Sequence, residues 1–175
     1  MFYGYDVLIS TPPYVFGDGK HETTRFLLYF LNRYANGKSV MDAGCGSGIL
    51  SIFASKCGAK VTAVDCDDNA VDCTLKNAET NNATISVIRA DISMADLPLF
   101  DIVVANFARY DASMLLPRLA SFVKSGGLLL TTWYKELPKE ELTIDFEIID
   151  HIEGIDYDCY ALKKIFNASQ IGNIG

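Results

Sequence analysis

A glycine-rich turn directly follows a short apolar run of the sequence. Residues 42–48 read DAGCGSG, with glycines at alternate positions Gly44, Gly46 and Gly48. Glycine tolerates positive φ and has no Cβ, so such a turn lets a ligand approach the backbone closely. The helix expected to follow directs unpaired N–H groups toward the same place. The turn therefore predicts a ligand site beyond the end of a strand in an open α/β sheet.

The spacing of the glycines indicates which ligand suits the turn. Dinucleotide-binding turns read G-x-G-x-x-G, and the third glycine lets helix and strand pack closely beside a pyrophosphate. This turn reads G-x-G-x-G, and Ile49 occupies the position of that third glycine. The pattern favours a ligand without a pyrophosphate and disfavours a nucleotide-dependent dehydrogenase.

Two aspartates follow the next two predicted strands. Asp65 lies 21 residues after Gly44, where a carboxylate can accept both hydroxyls of a ribose. Asp91 ends the third strand and can accept a hydrogen bond from an adenine amino group. Together these residues predict a nucleoside site without phosphates, which suits S-adenosylmethionine. Aspartates also commonly begin turns after strands, and that second interpretation stays open for both residues.

The hydrophobic periodicity predicts the elements that position these residues. Strands alternate with helices at spacings that suit right-handed crossovers, and the last two strands are close enough to form a hairpin through Gly154. We predict an α/β fold, a Rossmann-like, doubly wound and mostly parallel seven-stranded sheet with an antiparallel C-terminal hairpin at one edge. The predicted helices are 23–34, 49–56, 69–81 and 112–123, and the predicted strands are 39–43, 60–64, 84–90, 100–105, 127–132, 146–152 and 157–164.

The sequence divides into three regions. Residues 1–22 are predicted to form an N-terminal arm and loop, residues 23–166 an S-adenosylmethionine-binding domain, and residues 167–175 a flexible tail. Four aromatic residues lie in the arm, around two prolines and Gly17, and we hypothesise that they form a lid over the cofactor. They are Tyr3, Tyr5, Tyr14 and Phe16.

Composition excludes several classes of protein. The 175 residues are half hydrophobic and carry a net charge of −7, which disfavours non-specific nucleic-acid binding. No apolar run approaches the roughly 20 residues that span a bilayer, and the N-terminus does not resemble a signal peptide. The five cysteines include no C-x-x-C pair, so neither a disulfide framework nor a zinc or other metal site is expected. These features predict a cytoplasmic protein that does not bind membranes.

Three segments of the sequence resemble the class I S-adenosylmethionine-dependent methyltransferases. The resemblance is strongest to the catalytic domain of the bacterial methyltransferases that modify a large-subunit ribosomal protein, and it covers Phe16 to Lys164. That family has a loop F-G-T-G-x-H-x-T-T before the first sheet strand and a D-x-x-V-A-N segment at the end of the fourth. The matching segments here are FGDGKHETT at 16–24, VMDAGCGSGILSI at 40–52 and DIVVAN at 101–106.

The resemblance implies roles for individual residues. Thr24 and Gly46 would bind the cofactor, Gly44 would lie against its methionine part, and Asp65 would hold the ribose. Asn106 would lie beside the sulfonium and the incoming nucleophile, and would orient the methyl acceptor. From the residues alone, Thr24 can instead be read as a helix-start residue and Asn106 as a turn residue.

Two other residues near these segments carry reactive side chains. His21 is either a base or substrate contact, or a helix-entry histidine bonded to the backbone. Cys45 is either a nucleophile or a small residue that the tight turn requires. Methyl transfer is an in-line displacement that depends mainly on alignment, so no residue of the sequence has to be a general base.

The sequence departs from the family pattern where the methyl acceptor is expected to bind. Charged residues Asp18, Lys20 and Glu22 occur in the loop, and Asn106 is followed by FARY at 107–110 where the family has I-L-A-x-P-L. The family also carries a separate N-terminal domain that presents the ribosomal protein, whereas this chain begins almost at the catalytic domain. We therefore expect a methyltransferase that N-methylates a protein or a small molecule. The alternative is a non-catalytic adenosylmethionine-binding subunit whose partner supplies substrate recognition.

Overall fold

A computed structural model describes residues 1–107, 109–135 and 139–165. Helices and strands alternate through most of this part of the chain, as the periodicity predicts. In chain order they are α1 (Glu22–Tyr34), β1 (Ser39–Ala43), α2 (Ile49–Lys56), β2 (Lys60–Asp65), α3 (Asp68–Thr80), β3 (Ile85–Arg89), β4 (Phe100–Ala105), α4 (Arg109–Phe122), β5 (Val123–Tyr134), a 3₁₀ helix (Lys139–Thr143), β6 (Phe146–Ile152) and β7 (Tyr157–Lys164).

The strands form a seven-stranded sheet over the described residues, in the order β3-β2-β1-β4-β5-β7-β6. Strands β1 to β5 pair in parallel, whereas β7 is antiparallel to both β5 and β6. This confirms the predicted mostly parallel sheet with an antiparallel hairpin at one edge. The chain winds outward from β1 to β3 and then returns to β4, so the point where the strand order reverses lies between β1 and β4. Ligands bind at such points, beyond the carboxyl ends of the strands.

The hydrophobic core forms two layers, one on each face of the sheet. On one face, helices α1 to α3 pack through residues such as Leu27, Phe53 and Ala78. On the other face, α4 and the 3₁₀ helix pack through Leu119 and Leu142. The central strands β1 and β4 are buried on both faces, which explains why they read as continuous apolar runs rather than as alternating patterns.

Two elements differ from the prediction by more than one residue at an end. Strand β5 begins at Val123, four residues before the predicted start, because Gly126 and Gly127 read as a turn but lie inside the strand. Gly126 adopts a φ of 71°, and the register between β4 and β5 shifts in this region. Helix α4 begins at Arg109, three residues before its predicted start.

The N-terminal arm packs against the domain. Val7 and Val15 are buried, and Val7 belongs to the core beneath α1 to α3. The division of the chain at residues 22 and 166 stays a prediction, and the predicted tail, 167–175, lies outside the described residues. Within the described ranges, no helix combines the length and apolarity needed to cross a membrane.

Candidate active site

A cleft of about 530 Å³ lies at the carboxyl edge of the sheet, over the point where the strand order reverses. Its volume falls in the range typical of small-molecule sites. All six residues that the sequence singled out for a cofactor line this cleft. They are Thr24, Gly44, Gly46, Asp65, Asp91 and Asn106.

The three glycines of the turn all have positive φ, between 54° and 79°. The structure also shows what approaches them, because a Cβ on each would collide with another part of the chain. A Cβ would lie 2.5–2.9 Å from its nearest neighbour, which real side chains do not tolerate. The neighbours are the Phe107 ring at Gly44, the Phe16 carbonyl oxygen at Gly46 and the Thr74 side chain at Gly48. The glycines are therefore required by the packing of the protein itself, while Gly44 and Gly46 also line the cleft.

Asp65 lies at the end of β2, and both of its carboxylate oxygens are oriented by backbone groups. Oδ2 accepts the N–H of Gly46 at 3.0 Å, and Oδ1 accepts the N–H of Asp67 at 3.0 Å. The carboxylate therefore holds the glycine turn. It also begins the turn into α3, as expected of an aspartate that forms a turn after a strand. Each oxygen has a further lone pair, so an oriented carboxylate can still accept two hydroxyl groups from a ligand in the cleft.

Asp91 forms a turn of its own at the end of the β3 segment. Its Oδ1 accepts both the N–H and the hydroxyl of Ser93, at 2.8 and 2.7 Å. These bonds, the hydroxyl one first, lower the pKa of the Asp91 carboxyl. The turn-forming interpretation is thus correct for Asp91, although Ser93 bonds to only one of the two carboxylate oxygens and the residue lines the cleft.

Asn106, directly after β4, is joined to α1. Its Nδ2 donates to the Thr24 hydroxyl at 3.2 Å, and Thr24 is buried in the first turn of that helix. The next residue, Phe107, accepts a hydrogen bond at its carbonyl oxygen from the Thr132 hydroxyl of β5, at 3.1 Å. The two segments that resemble family motifs, FGDGKHETT and DIVVAN, therefore meet at the centre of the cleft.

Aromatic side chains line the far side of the cleft, and one of them, Tyr157, was not predicted from the sequence. The His21 ring lies 5.9 Å from the Phe16 ring and 6.4 Å from the Tyr157 ring, centroid to centroid. The ring of Tyr134, at the end of β5, lies 5.2 Å from the Tyr157 ring, centroid to centroid. Tyr157 could have been found, because an antiparallel strand begins at the edge where its parallel neighbours end. We call Phe16, His21 and Tyr157 the aromatic wall.

His21 combines two of its expected features. It caps α1, where its Nδ1 accepts the N–H of Thr23 at 3.4 Å, so the helix-entry interpretation is correct. The same ring lines the cleft as part of the aromatic wall. A capping histidine is held in place by the helix start, so its position relative to Thr24 is set by α1.

Only two of the four aromatic residues that were expected to form a lid lie at the cleft. Tyr14 and Phe16 line the cleft. The rings of Tyr3 and Tyr5 instead pack against Phe53 of α2, at centroid distances of 6.1 and 5.6 Å. Those two residues therefore stabilise the arm against the helical layer of the core.

Two titratable groups of the glycine turn are buried beneath the cleft. Burial raises the pKa of the Cys45 thiol, which lies 3.3 Å from the Thr74 hydroxyl, and so favours the protonated, less nucleophilic form of the thiol. Burial also raises the pKa of Asp42 to about 6, although the Ser51 hydroxyl donates to it at 2.6 Å. Neither the arm, the sheet nor the helices of the described chain bring together three or more residues that could bind a metal ion.

The fold and the cleft define the class of the protein. A parallel sheet with one antiparallel strand inserted near its end, a glycine turn after β1 and a carboxylate after β2 together form the class I methyltransferase domain. The chain belongs to the family of ribosomal protein L11 methyltransferases, PrmA, whose family model matches residues 6–163.

Individual relatives agree with this membership. The chain is 35% identical to the ribosomal protein L11 methyltransferase of Campylobacter concisus over 168 residues, which cover 93% of this chain and 60% of the relative. It is 43% identical to that of Burkholderia mallei over 125 residues, covering 69% and 40% respectively. The chain thus spans about 60% or less of the length of these relatives.

Solved structures show the same architecture. A ribosomal protein L11 methylase from Lactobacillus delbrueckii subsp. bulgaricus is 28% identical, with a TM-score of 0.79 over 87% of this chain and 82% of that one. A 16S rRNA N2 G1207 methyltransferase of T. thermophilus, solved with AdoMet and guanosine, is 22% identical. Its TM-score is 0.80 over 93% of this chain and 48% of that one, and this likeness shows the fold alone.

Proposed function

We propose that the chain is an S-adenosylmethionine-dependent methyltransferase domain that transfers a methyl group to a protein amine. The observation that carries this proposal is the line of Asp65, Gly44 and Asn106 at the ends of three adjacent strands, all facing one cleft. The relatives are named for ribosomal protein L11, which is therefore the first acceptor to test. The lack of pairing among the five cysteines supports a cytoplasmic location.

The residues of the cleft fit the successive parts of S-adenosylmethionine. Asp91 and Asp65 suit the adenine and the ribose, because a nucleoside offers N–H and O–H donors to carboxylate oxygens. Gly44 and Gly46 suit the methionine part, because both line the cleft between Asp65 and Asn106. The Thr24–Asn106 pair would then hold the part of the cofactor that carries the methyl group. When bound, this cofactor supplies an electrophilic methyl group.

Asn106 is proposed to orient the acceptor. Because its Nδ2 donates to Thr24, its Oδ1 is left to accept an N–H from the incoming amine. An amine must lose its proton before it can attack, and the apolar surfaces of Phe107 and Leu115 lower an amine pKa by desolvation. The chain therefore contributes alignment and a dry site rather than a strong base.

The acceptor is proposed to enter along the aromatic wall. Across the sheet, one side of Asn106 holds the residues assigned to the cofactor, which are Asp91, Asp65 and Gly44. The other side holds Tyr157, at the start of β7. An in-line displacement needs the nucleophile on the side of the methyl group opposite the sulfur. The aromatic wall is thus on the side left open for an acceptor, either a protein presented with a partner's help or a small molecule.

One observation favours a second candidate function. The Phe107 ring lies against Gly44, in the part of the cleft assigned to the methionine part. A ring in that place would also suit a non-catalytic adenosylmethionine-binding subunit that a partner protein completes. The two candidates agree on the cofactor and differ only on methyl transfer.

Calorimetric titration with S-adenosylmethionine tests the shared cofactor, using wild-type protein, Asp65→Ala and Asp68→Ala. Asp68 is exposed, pairs with Arg89 and does not line the cleft, so it controls for loss of one negative charge in the same turn. We expect Asp65→Ala to lose at least about tenfold in affinity, the equivalent of one charge-assisted hydrogen bond, and Asp68→Ala to bind normally. A wild-type protein that binds no cofactor would contradict the proposal.

Transfer of a labelled methyl group to purified ribosomal protein L11 then separates the two candidates. Incorporation that depends on Asn106 supports the methyltransferase. Cofactor binding without transfer to L11, to other ribosomal proteins or to small amines would favour the binding subunit.

A further inference from the structure

The N-terminal arm is held to α3 by two asparagine side chains that act like strand partners. Asn81 accepts the N–H of Leu8 at 2.8 Å and donates to its carbonyl oxygen at 2.6 Å. Asn77 does the same for Ser10, at 3.0 and 3.1 Å. Each primary amide thus replaces one peptide group of a neighbouring strand.

The spacing explains why these four residues match. Alternate residues of an extended chain lie about 6.6 Å apart, and residues four apart on a helix rise by about 6 Å. Leu8 and Ser10 therefore meet Asn81 and Asn77 in register. Both asparagines are buried, with at most 7% of their surface exposed, so their hydrogen bonds are protected from water.

Only one of the two asparagines also reaches the glycine turn. The Nδ2 of Asn77 donates to the Ser47 carbonyl oxygen at 2.9 Å, whereas the second bond of Asn81 Nδ2 goes to its own helix, at Asn77. Asn77 thus joins three elements: the arm, α3 and the turn between β1 and α2. The Asn81 side chain joins only the arm and α3, although the Asn81 carbonyl oxygen also accepts a hydrogen bond from Lys56 of α2, at 3.1 Å.

The arm contacts the same turn again a few residues later. Ser47 donates its N–H to the Phe16 carbonyl oxygen at 2.9 Å and its hydroxyl to the Gly17 carbonyl oxygen at 2.6 Å. Val15, Phe16 and Gly17 line the cleft. The arm is therefore attached to Ser47 of the glycine turn in two ways. Asn77 links the arm to the Ser47 carbonyl oxygen, and residues 16 and 17 of the arm bond directly to the Ser47 N–H and hydroxyl.

We propose that Asn77 is a positioning residue that couples docking of the N-terminal arm to cofactor binding, which rests on the proposed function of the cleft. Asn77 touches no part of the cleft itself. It holds the arm and the Ser47 backbone in one arrangement, which places residues 15–17 of the arm over Gly46. Coupling of this kind is reciprocal, so the cofactor also tightens the arm.

Matched asparagine variants test the coupling. Wild-type protein, Asn77→Ala and Asn81→Ala are titrated with S-adenosylmethionine by calorimetry, with folding checked by circular dichroism. Both variants lose the pair of hydrogen bonds to the arm, so both are expected to melt at lower temperature. We expect Asn77→Ala to bind the cofactor about tenfold more weakly than wild type and Asn81→Ala to stay within about twofold.

Hydrogen exchange of the arm supplies the reciprocal measurement. The cofactor should slow amide exchange in a peptide covering residues 7–17 of the wild-type protein, and this protection should be lost in Asn77→Ala and kept in Asn81→Ala. A merely structural role for Asn77 would lower the melting temperature without removing the response to the cofactor.

A second pair of variants covers the case in which Asn77→Ala does not fold. Ser10→Pro removes the N–H that Asn77 accepts, whereas Ser10→Ala keeps it, and the exposed Ser10 side chain is otherwise unused by this contact. We expect Ser10→Pro alone to weaken cofactor binding. Equal affinities in each matched pair would overturn the coupling while leaving the proposed function intact, whereas a wild-type protein without affinity would overturn both.

Discussion

Asn106 is the residue at which cofactor, acceptor and scaffold are proposed to meet. We predict that Asn106→Ala lowers kcat for methyl transfer by about a hundredfold, because a misaligned nucleophile loses much of the benefit of orientation. Cofactor affinity should change only a few-fold, since Asp65 and the glycine turn remain. Steady-state kinetics with labelled S-adenosylmethionine and the L11 acceptor measure both quantities.

Thr24→Val is the matched control for Asn106→Ala. It removes the hydroxyl that accepts from Asn106 Nδ2 but keeps the shape of a buried residue and the Asn106 side chain. A smaller loss of kcat than in Asn106→Ala is expected. Full turnover by Asn106→Ala would refute the orienting role.

Single residues were predictable from the sequence where they come at the end of a predicted strand, because the strand then determines where they lie. Asp65, Gly44 and Asn106 each follow an apolar run, so their place at the carboxyl edge follows from the sheet itself. Asn77 was not predictable, because its polar side chain is explained by distant partners, Ser10 of the arm 67 residues away and Ser47 of the glycine turn 30 residues away. The turn that Asp91 forms with Ser93 was one of two open interpretations, since an aspartate suits a ligand and a turn equally well.

At the scale of elements, the junction of the glycine turn with α2 depends on Gly48. Its φ of 79° is strained for any other residue, and a Cβ would lie 2.9 Å from the Thr74 side chain of α3. We predict that Gly48→Ala lowers the free energy of unfolding by well over 1 kcal/mol, through strain of about 1–2 kcal/mol together with this collision. Urea denaturation measures the change.

Gly37→Ala separates strain from collision. Gly37 has a similar φ of 71°, but a Cβ added there would have open space around it, with no other part of the described chain within 4 Å. This variant should lose only the strain energy. If both variants are destabilised equally, Thr74 yields to the added methyl group and the packing of α2 on α3 is looser than the distance implies.

Most element boundaries follow from local sequence, as α2 and β7 illustrate. Each begins and ends at its predicted residue, because a change of periodicity coincides with a glycine or a polar turn. The 3₁₀ helix at Lys139–Thr143 was not predicted. It is short and mostly polar, and it is anchored by burial of Leu142 against the core, a tertiary effect that no local pattern reveals.

For the molecule as a whole, stability should depend on pH through Asp42. Burial raises its pKa to about 6 from an ordinary value of 3.8, so the folded protein holds this proton more tightly than the unfolded chain does. Between pH 4 and 6 the unfolded chain ionises first, and the folded state loses stability relative to it as pH rises. The full effect amounts to about 3 kcal/mol above pH 6.

Asp42→Asn removes this dependence while keeping an acceptor for the Ser51 hydroxyl. The free energy of unfolding of the variant minus that of wild type should therefore rise from pH 4 to 7, as measured by urea denaturation. Asp101 is the control of opposite sign, because Lys124 and Ser39 lower the pKa of its carboxyl. Asp101→Asn should lose stability by an amount that changes little above pH 5. A flat difference for Asp42→Asn would show that its carboxyl titrates normally.

The overall topology was predictable because few arrangements satisfy the connections. Alternating strands and helices require right-handed crossovers, and the short link between β6 and β7 requires a hairpin. The sequence could not show that β7 rather than β6 pairs with β5. That order puts Tyr157 beside Tyr134 and so brings β7 to the cleft.

The cleft also constrains the order of events during synthesis and folding. The cleft and the arm contacts that support it join Ser10 to Asn77, Thr24 to Asn106 and His21 to Tyr157, across 67, 82 and 136 residues. Such distant contacts are slow to form, because each closes a long loop of chain. The arm leaves the ribosome well before α3 and β7 exist, so the partners of Ser10 and His21 are not yet available to hold it. We therefore expect the binding cleft to close after the sheet beneath it has formed, and the arm to be the segment most exposed to chaperones and proteases in the meantime.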